Sequence, residues 1–329
     1  MINDYMSRAL FVMRKPCLAA LLGALFLQPA AAQQPMRIIS GFPPGGAVDA
    51  LARIFAERFA EASGRPAVVE TRAGASGQIA AQVVRSSPPD GNTLLVAPDS
   101  FAVLYPHTVS KPAYDPLTDF QPVAHLGGYP LAFAVGPGAP IRDLKEYITW
   151  AKSAPRNASF GTPGSGSNAH FMGVLIGQVL GLPMVQIAYK GVGPAVNDAI
   201  GGQVPAIIMP LGTLLPQAAA GKLRILAHSG SKRSDEAPAY ATFRELGYSI
   251  EVTGWFGLFA PAKTPPAVTA RQNEIVLQSI RTETVRAQLR KLDLETREMT
   301  QADLVALLRR EFDRWAPVVK ASGFRADDQ

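Results

Sequence analysis

Four times along this chain a short apolar, strand-forming run passes through a glycine-rich turn into an amphipathic helix. The turns are Gly41–Asp49 (GFPPGGAVD), Arg72–Gly77 (RAGASG), Gly161–His170 (GTPGSGSNAH) and Tyr189–Pro194 (YKGVGP). A strand that feeds a helix does not form a tight hairpin with its successor. The repeated unit therefore predicts mainly parallel strands joined by helical crossovers, an α/β fold. In such sheets the turns at the strand carboxyl ends share one edge, where open α/β sheets bind their ligands.

Strand candidates around these turns are Met36–Ser40, Val68-Val69, Thr93–Ala97, Val185–Tyr189, Val204–Met209, Leu223–His228 and Trp255–Ala260. Val48, Leu51, Ala52, Phe55 and Phe59 recur at helical spacing, and Gly64 ends their helix. Further on, Thr300 and Asp303 have capping-box spacing, and Leu304, Leu308, Phe312 and Trp315 share one apolar face. Pro317 is expected to interrupt that helix near its end. The 329 residues suit two domains of ordinary size. Gly127–Pro140 and Glu251–Pro261, β-type residues bracketed by Gly and Pro, are the expected crossovers between them.

The first residues read as an export signal. Arg8, Arg14 and Lys15 precede the apolar run Cys17–Leu27, which is too short for a bilayer. Ala30-Ala31-Ala32 then offers small residues for cleavage before Gln33. The single cysteine, Cys17, leaves with that signal, so neither a disulfide framework nor a thiolate metal site is expected. Basic residues (32) outnumber acidic ones (26) without forming a run, which speaks against a nucleic-acid partner.

The loops offer backbone donors rather than charges. Gly45 and Gly46 bare N–H groups at the positive end of the following helix, a place that attracts carboxylate, phosphate or sulfate. The bland alternative is a plain strand-to-helix turn with Asp49 as a first-turn charge, and this loop alone favours it. No Lys-Ser/Thr follows, so it is not a P-loop. Thr162, Ser165 and Ser167 supply hydroxyls suited to an oxyanion, and Ser167 is also a natural helix cap. Gly164-x-Gly166-x-x-Ala169 mimics a dinucleotide fingerprint, but no acid lies between Gly161 and Asn197 to hold a ribose.

Catalytic patterns fail. The chain has neither Gly-x-Ser-x-Gly nor His-Glu-x-x-His, and Ser229-x-x-Lys232 lacks its partner motifs and reads as surface. His107, His125, His170 and His228 are scattered, without metal-ligand spacing. His170 is expected to make a helix-start hydrogen bond, and Trp150, Trp255 and Trp315 read as core.

The segments IISGFPPGGAVDALARIFAERF, RAGASGQIAAQVV with SPPDGNTLL downstream, FGTPGSGSNAHFMG, IAYKGVGPAVNDAIGGQV, GKLRILAHSGSKR, APAYATFRELGY and GWFGLFAPAKTPPAV occur in this order. Together they resemble the Bug-type extracytoplasmic solute receptors of tripartite tricarboxylate transporters, over essentially the whole chain after the signal. The resemblance implies a two-domain periplasmic binding protein, a type II Venus flytrap whose domains are each a mainly parallel sheet flanked by helices. After a signal peptide at 1–32, residues 33–131 plus 255–329 form one domain and 132–254 the other. A small organic carboxylate is held between them by backbone N–H groups, hydroxyls and water.

The contacts carried over by this resemblance are Phe42, Gly45, Gly46 and Asp49; Ser76; Ser100; Thr162, Gly166 and Ser167; and Tyr189 and Gly191. Ser100 rests on the resemblance alone. The implied receptor is a periplasmic monomer without cofactor or metal that delivers its solute to the transporter's membrane subunits. Thr71 stands where the family usually has Asn, and Pro205 stands where an acid or polar residue is frequent. With Met209 and Pro210 expected near a position that often lines the cleft, these departures leave the solute open and admit a less polar carboxylate, aromatic ones included. Two other readings stay open: a receptor for a signalling partner, and an exported hydrolase, for which no nucleophile and base pair up.

Overall fold

The computed structural model describes residues 34–328; the expected export signal and its expected cleavage point lie outside them. The first part runs β1 (Met36–Ser40), α1 (Ala47–Ser63), β2 (Ala67–Thr71), α2 (Gln78–Arg85) and β3 (Thr93–Pro98). Two short helices, α3 (Ser100–Val103) and α4 (Tyr105–Thr108), lead to the long strand β4 (Phe120–Val135). There follow α5 (Leu144–Ser153), β5 (Ser159–Thr162), α6 (Asn168–Leu180), β6 (Val185–Ala188), α7 (Val192–Ile200), β7 (Ala206–Pro210), α8 (Leu211–Ala219) and β8 (Arg224–His228). The chain finishes with β9 (Thr253–Pro261), α9 (Pro266–Arg281), α10 (Glu283–Lys291) and α11 (Gln301–Ser322).

The strands join in the order β2-β1-β3-β9-β4-β7-β5-β6, with β8 beside β4. β1 runs parallel to β2 and β3, and β5 runs parallel to β6 and β7. Every antiparallel pairing involves β4 or β9. The repeated strand–turn–helix unit thus foretells the parallel parts, while the antiparallel seam belongs to the crossover strands. β4 pairs with β9 from Phe120 to Pro130, then with β7 and β8 from Leu131 onward. One strand therefore serves both parts of the sheet and changes partners between Pro130 and Leu131.

Ser229 sits at that change and is 0% exposed, which corrects its expected place on the surface. Its Oγ accepts the Leu131 N–H at 2.9 Å and donates to the Val252 carbonyl, and its own N–H donates to the Leu131 carbonyl at 2.8 Å. A buried hydroxyl pays for its desolvation only through such partners.

Local signals set the helix ends. Gly64 closes α1 in the left-handed conformation, φ 66°, and Thr300 with Asp303 forms the expected capping box of α11. α11 continues through Pro317 to Ser322 instead of breaking there. Proline removes a single N–H donor, and buried Trp315 and Val319 on either side keep the helix seated.

One core lies under α1 and α9 and contains Ile38, Leu51, Phe55, Phe59, Leu94 and Val276. Each such buried side chain contributes roughly 1.5–3 kcal/mol relative to exposure. A second core gathers Ala132, Val196, Ile207, Met209 and Leu214. Met209 is thus 0% exposed in this core rather than lining a cleft, and Pro210 is half-buried at the start of α8. A third cluster runs from Ile39, Leu95 and Phe101 through Trp315 of α11 to Phe133, Phe160 and Phe171, so the last helix packs against both parts of the sheet.

Candidate functional site

The Gly41–Asp49 loop leaves β1 and enters α1. Gly45 has φ 91°, and Gly46 caps α1 with backbone alone, so no side chain occupies the first-turn N–H groups. Asp49 Oδ2 accepts the Gly45 N–H at 3.1 Å and pairs with Arg53 Nε at 3.1 Å. Those contacts hold its carboxyl below the ordinary aspartate range. Asp49 therefore shapes the loop from beneath, with its carboxylate turned to its own chain.

The second loop leaves β2. Gly74, Ala75, Ser76 and Gly77 all have positive φ, of 137°, 45°, 53° and 91°. Two non-glycine residues in this region mark a conformation held by its surroundings. The surroundings are the first loop: a Cβ on Gly41 would lie 2.7 Å from the Gly77 Cα, and one on Gly77 would lie 3.2 Å from the Phe42 ring. The structure therefore brings Phe42 and the Ser76 loop together, with Ser76 exposed. Ser100 opens α3 after β3 and is half-buried.

The remaining expected contacts form a second group. Thr162 Oγ1 accepts from Gln186 Nε2 at 2.6 Å and donates to the Gly164 carbonyl at 3.2 Å. Ser167 caps α6, its Oγ accepting the His170 N–H at 3.3 Å and donating to the Gly164 carbonyl at 2.8 Å. The Gly166 N–H donates to His170 Nδ1 at 3.2 Å, the helix-start bond expected of this histidine. Burial pushes His170 down to about 4, which keeps the ring neutral and able to accept. The Tyr189 and Gly191 N–H groups donate to the Thr162 and Pro163 carbonyls at 3.0 and 3.1 Å. The Tyr189 hydroxyl donates to Asp198 Oδ2 at 3.0 Å, and its pKa is pushed up to about 12 by burial and by that carboxylate.

Sequence reasoning missed the pair that ties these groups together. Asn168 Nδ2 donates to both carboxylate oxygens of Asp99, at 3.0 and 2.9 Å, joining the end of β3 to the start of α6. Burial raises Asp99 to about 7 against the opposing pull of the Asn168 amide. The available signal was an acid inside the apolar run VAPDSFAV. Phe324, beyond α11, also reaches this region, with its ring centroid 4.8 Å from that of His170.

The two groups consist of neutral hydrogen-bonding groups, chemistry suited to an anion, which in the described residues bond within their own chain. Among the described residues no three His, Cys, Asp or Glu side chains are grouped to hold a metal ion, and no helix is long and apolar enough to cross a membrane.

Residues 51–324 match the family described as "Tripartite tricarboxylate transporter family receptor". Protein BugT of Bordetella pertussis is 34% identical over 297 residues, covering 88% of this chain and 90% of its own. Rpa4515 of R. palustris, solved with adipate, superposes with a TM-score of 0.81 at 28% identity, over 89% of this chain and 98% of that one. MatC (Rpa3494) from Rhodopseudomonas palustris, solved with bound malate, gives 0.76 at 29% identity, over 87% and 98%. Matched from within its first helix to beyond its last, and sharing the two-domain architecture of these proteins, the chain belongs to the tripartite tricarboxylate transporter receptor family of periplasmic binding proteins.

Proposed function

We propose that this receptor works in the periplasm, captures a small carboxylate-bearing organic acid between two domains, and delivers it to the membrane subunits of a tripartite tricarboxylate transporter. In this reading residues 33–131 with 255–329 form one domain and 132–254 the other, after removal of residues 1–32. The observation that carries it is the common origin of the expected contacts. All eleven stand at or just beyond the carboxyl ends of β1, β2, β3, β5 and β6, which run parallel within each part of the sheet. Two of these loops open onto the N-termini of α1 and α6, where backbone N–H groups favour negative charge.

Neutral donors suit a carrier. They recognise a carboxylate without a buried cation whose pairing would slow release. A solute touched from both sides favours the closed form, so binding shifts the population toward closure. The relatives solved with adipate and malate support the carboxylate class. His170 Nδ1 already holds the Gly166 N–H and is not poised to activate a hydroxyl, which favours binding over hydrolysis.

The test is a thermal-shift screen of the chain from Gln33 onward. It covers adipate, malate, aromatic mono-, di- and tricarboxylates and amino acids, with nucleotides as controls. At a solute concentration about 1,000 times Kd the gain is about 4 kcal/mol, several degrees in midpoint. Selective stabilisation by a carboxylate is expected. A response to nucleotides alone overturns the reading, as does a flat carboxylate series on protein shown empty by native mass spectrometry.

A further inference from the structure

We infer that Asp99 and Asn168 form a latch between the two domains that sets how far the receptor is closed before any solute arrives. The inference rests on the two-domain reading above, because it places Asp99 in the first domain and Asn168 in the second.

Asp99 directly follows β3 and is 1% exposed; Asn168 begins α6 and is 4% exposed. A carboxyl group so far from water is costly unless its oxygens are satisfied. Here a single amide from the other domain reaches both of them. The other groups facing Asp99 are the Ser100 and Trp255 backbone, Tyr129 from β4 and Glu311 from α11. None of them is a cation, and Glu311 itself pairs with Arg310 and Arg314. Asn168 is therefore the main side-chain partner of this carboxyl group, and rotation of the domains apart trades that partner for water.

A second contact repeats the arrangement. Asp293, in the first domain and at φ 53°, presses on Gly212 at the start of α8 in the second. A Cβ on Gly212 would lie 2.0 Å from the Asp293 Cβ and 2.6 Å from Oδ2. Two second-domain helices thus begin against carboxyl groups of the first domain, where a helix N-terminus favours negative charge.

The sign of the pH response follows. With the domains together Asp99 holds its proton up to about 7, and in water an aspartate releases it near 4. Ionised Asp99 is stabilised more by water than by its closed surroundings. Raising the pH through about 7 therefore shifts the empty receptor toward the open form, and lowering it favours closure.

Cysteines replacing exposed Glu57 on α1 and Lys152 on α5 allow nitroxide labelling of a chain whose native Cys17 precedes Gln33. Pulsed EPR distances between the labels are recorded without solute at pH 5.5 and 8.5. In the wild type the ratio of long to short distances is expected to rise about tenfold or more between these pH values. Asn168→Ala, which strands the carboxyl group, should favour long distances at both, most of all at 8.5. Asp99→Asn, which keeps the volume but does not titrate, should abolish the pH response. Gly212→Ala should open the domains by the wedge at Asp293. A distance distribution unmoved by pH in the wild type, or unmoved by Asn168→Ala, overturns the latch. Because no solute is present, that failure is separate from a failure to bind adipate or malate.

Discussion

The backbone N–H of Gly166 points at the imidazole of His170, whose Nδ1 accepts it at 3.2 Å. With burial holding that ring neutral, a loop of the candidate site is fixed by a side chain on the helix it introduces. His170→Phe preserves the aromatic contact with Phe324 but removes the acceptor. A lost hydrogen bond of about 1 kcal/mol should weaken carboxylate binding about fivefold in isothermal titration. Unchanged affinity would show that the loop keeps its shape without the ring.

Gly45 and Gly46 separate backbone strain from access to the helix terminus. Gly45 has φ 91° with open space around it, so Gly45→Ala should cost about 1–2 kcal/mol of stability through strain alone. Gly46 has ordinary dihedrals, and its added Cβ meets nothing nearer than the Pro43 carbonyl at 4.0 Å. Gly46→Val should therefore fold with a near-native melting midpoint while losing carboxylate binding. Normal binding by a folded Gly46→Val would remove the N-terminus of α1 from the site.

Ser167 has two roles that one variant separates. Ser167→Ala deletes the cap of α6 and should cost about 1 kcal/mol in denaturant unfolding. A loss of affinity beyond that effect, measured at a temperature where the variant is fully folded, would assign the hydroxyl to the solute as well.

Acid sensitivity is expected from His125. Burial and nearby Arg297 push it down to about 4, whereas an unfolded histidine takes its proton near 6.5. The unfolded chain therefore binds the extra proton first, and this group's stability is lost as the pH falls from about 6.5 through 4. His125→Asn should show a shallower fall in melting temperature over that range. Parallel curves for the two proteins would contradict the assignment.

Local chemistry made much of this fold legible. β1 begins and ends where its apolar run meets FPPGG, and Gly64, Ser167 and Thr300 stand where their caps were expected. β4 was not legible as one strand. Its Pro122, Gly127, Gly128 and Pro130 all read as breakers, and they are accommodated by register shifts against β9 that no local pattern reveals. The loops around Gly45, Ser76, Gly166 and Gly191 announced themselves through glycine, whereas Ser100 needed the family resemblance. Asp99 and Asn168 meet only after folding, across 69 positions, and their partnership has no signature in either neighbourhood.

The strand that changes partners at Pro130 has an implication for engineering. Neither half of the molecule owns all of its sheet, since β4 completes one part with its first residues and the other with its last. Exchanging a whole half with a relative would graft a foreign strand end into a ladder it was not selected to match. On the proposed site, cargo preference is better transplanted by grafting the turns at the strand ends, which leave that shared ladder untouched.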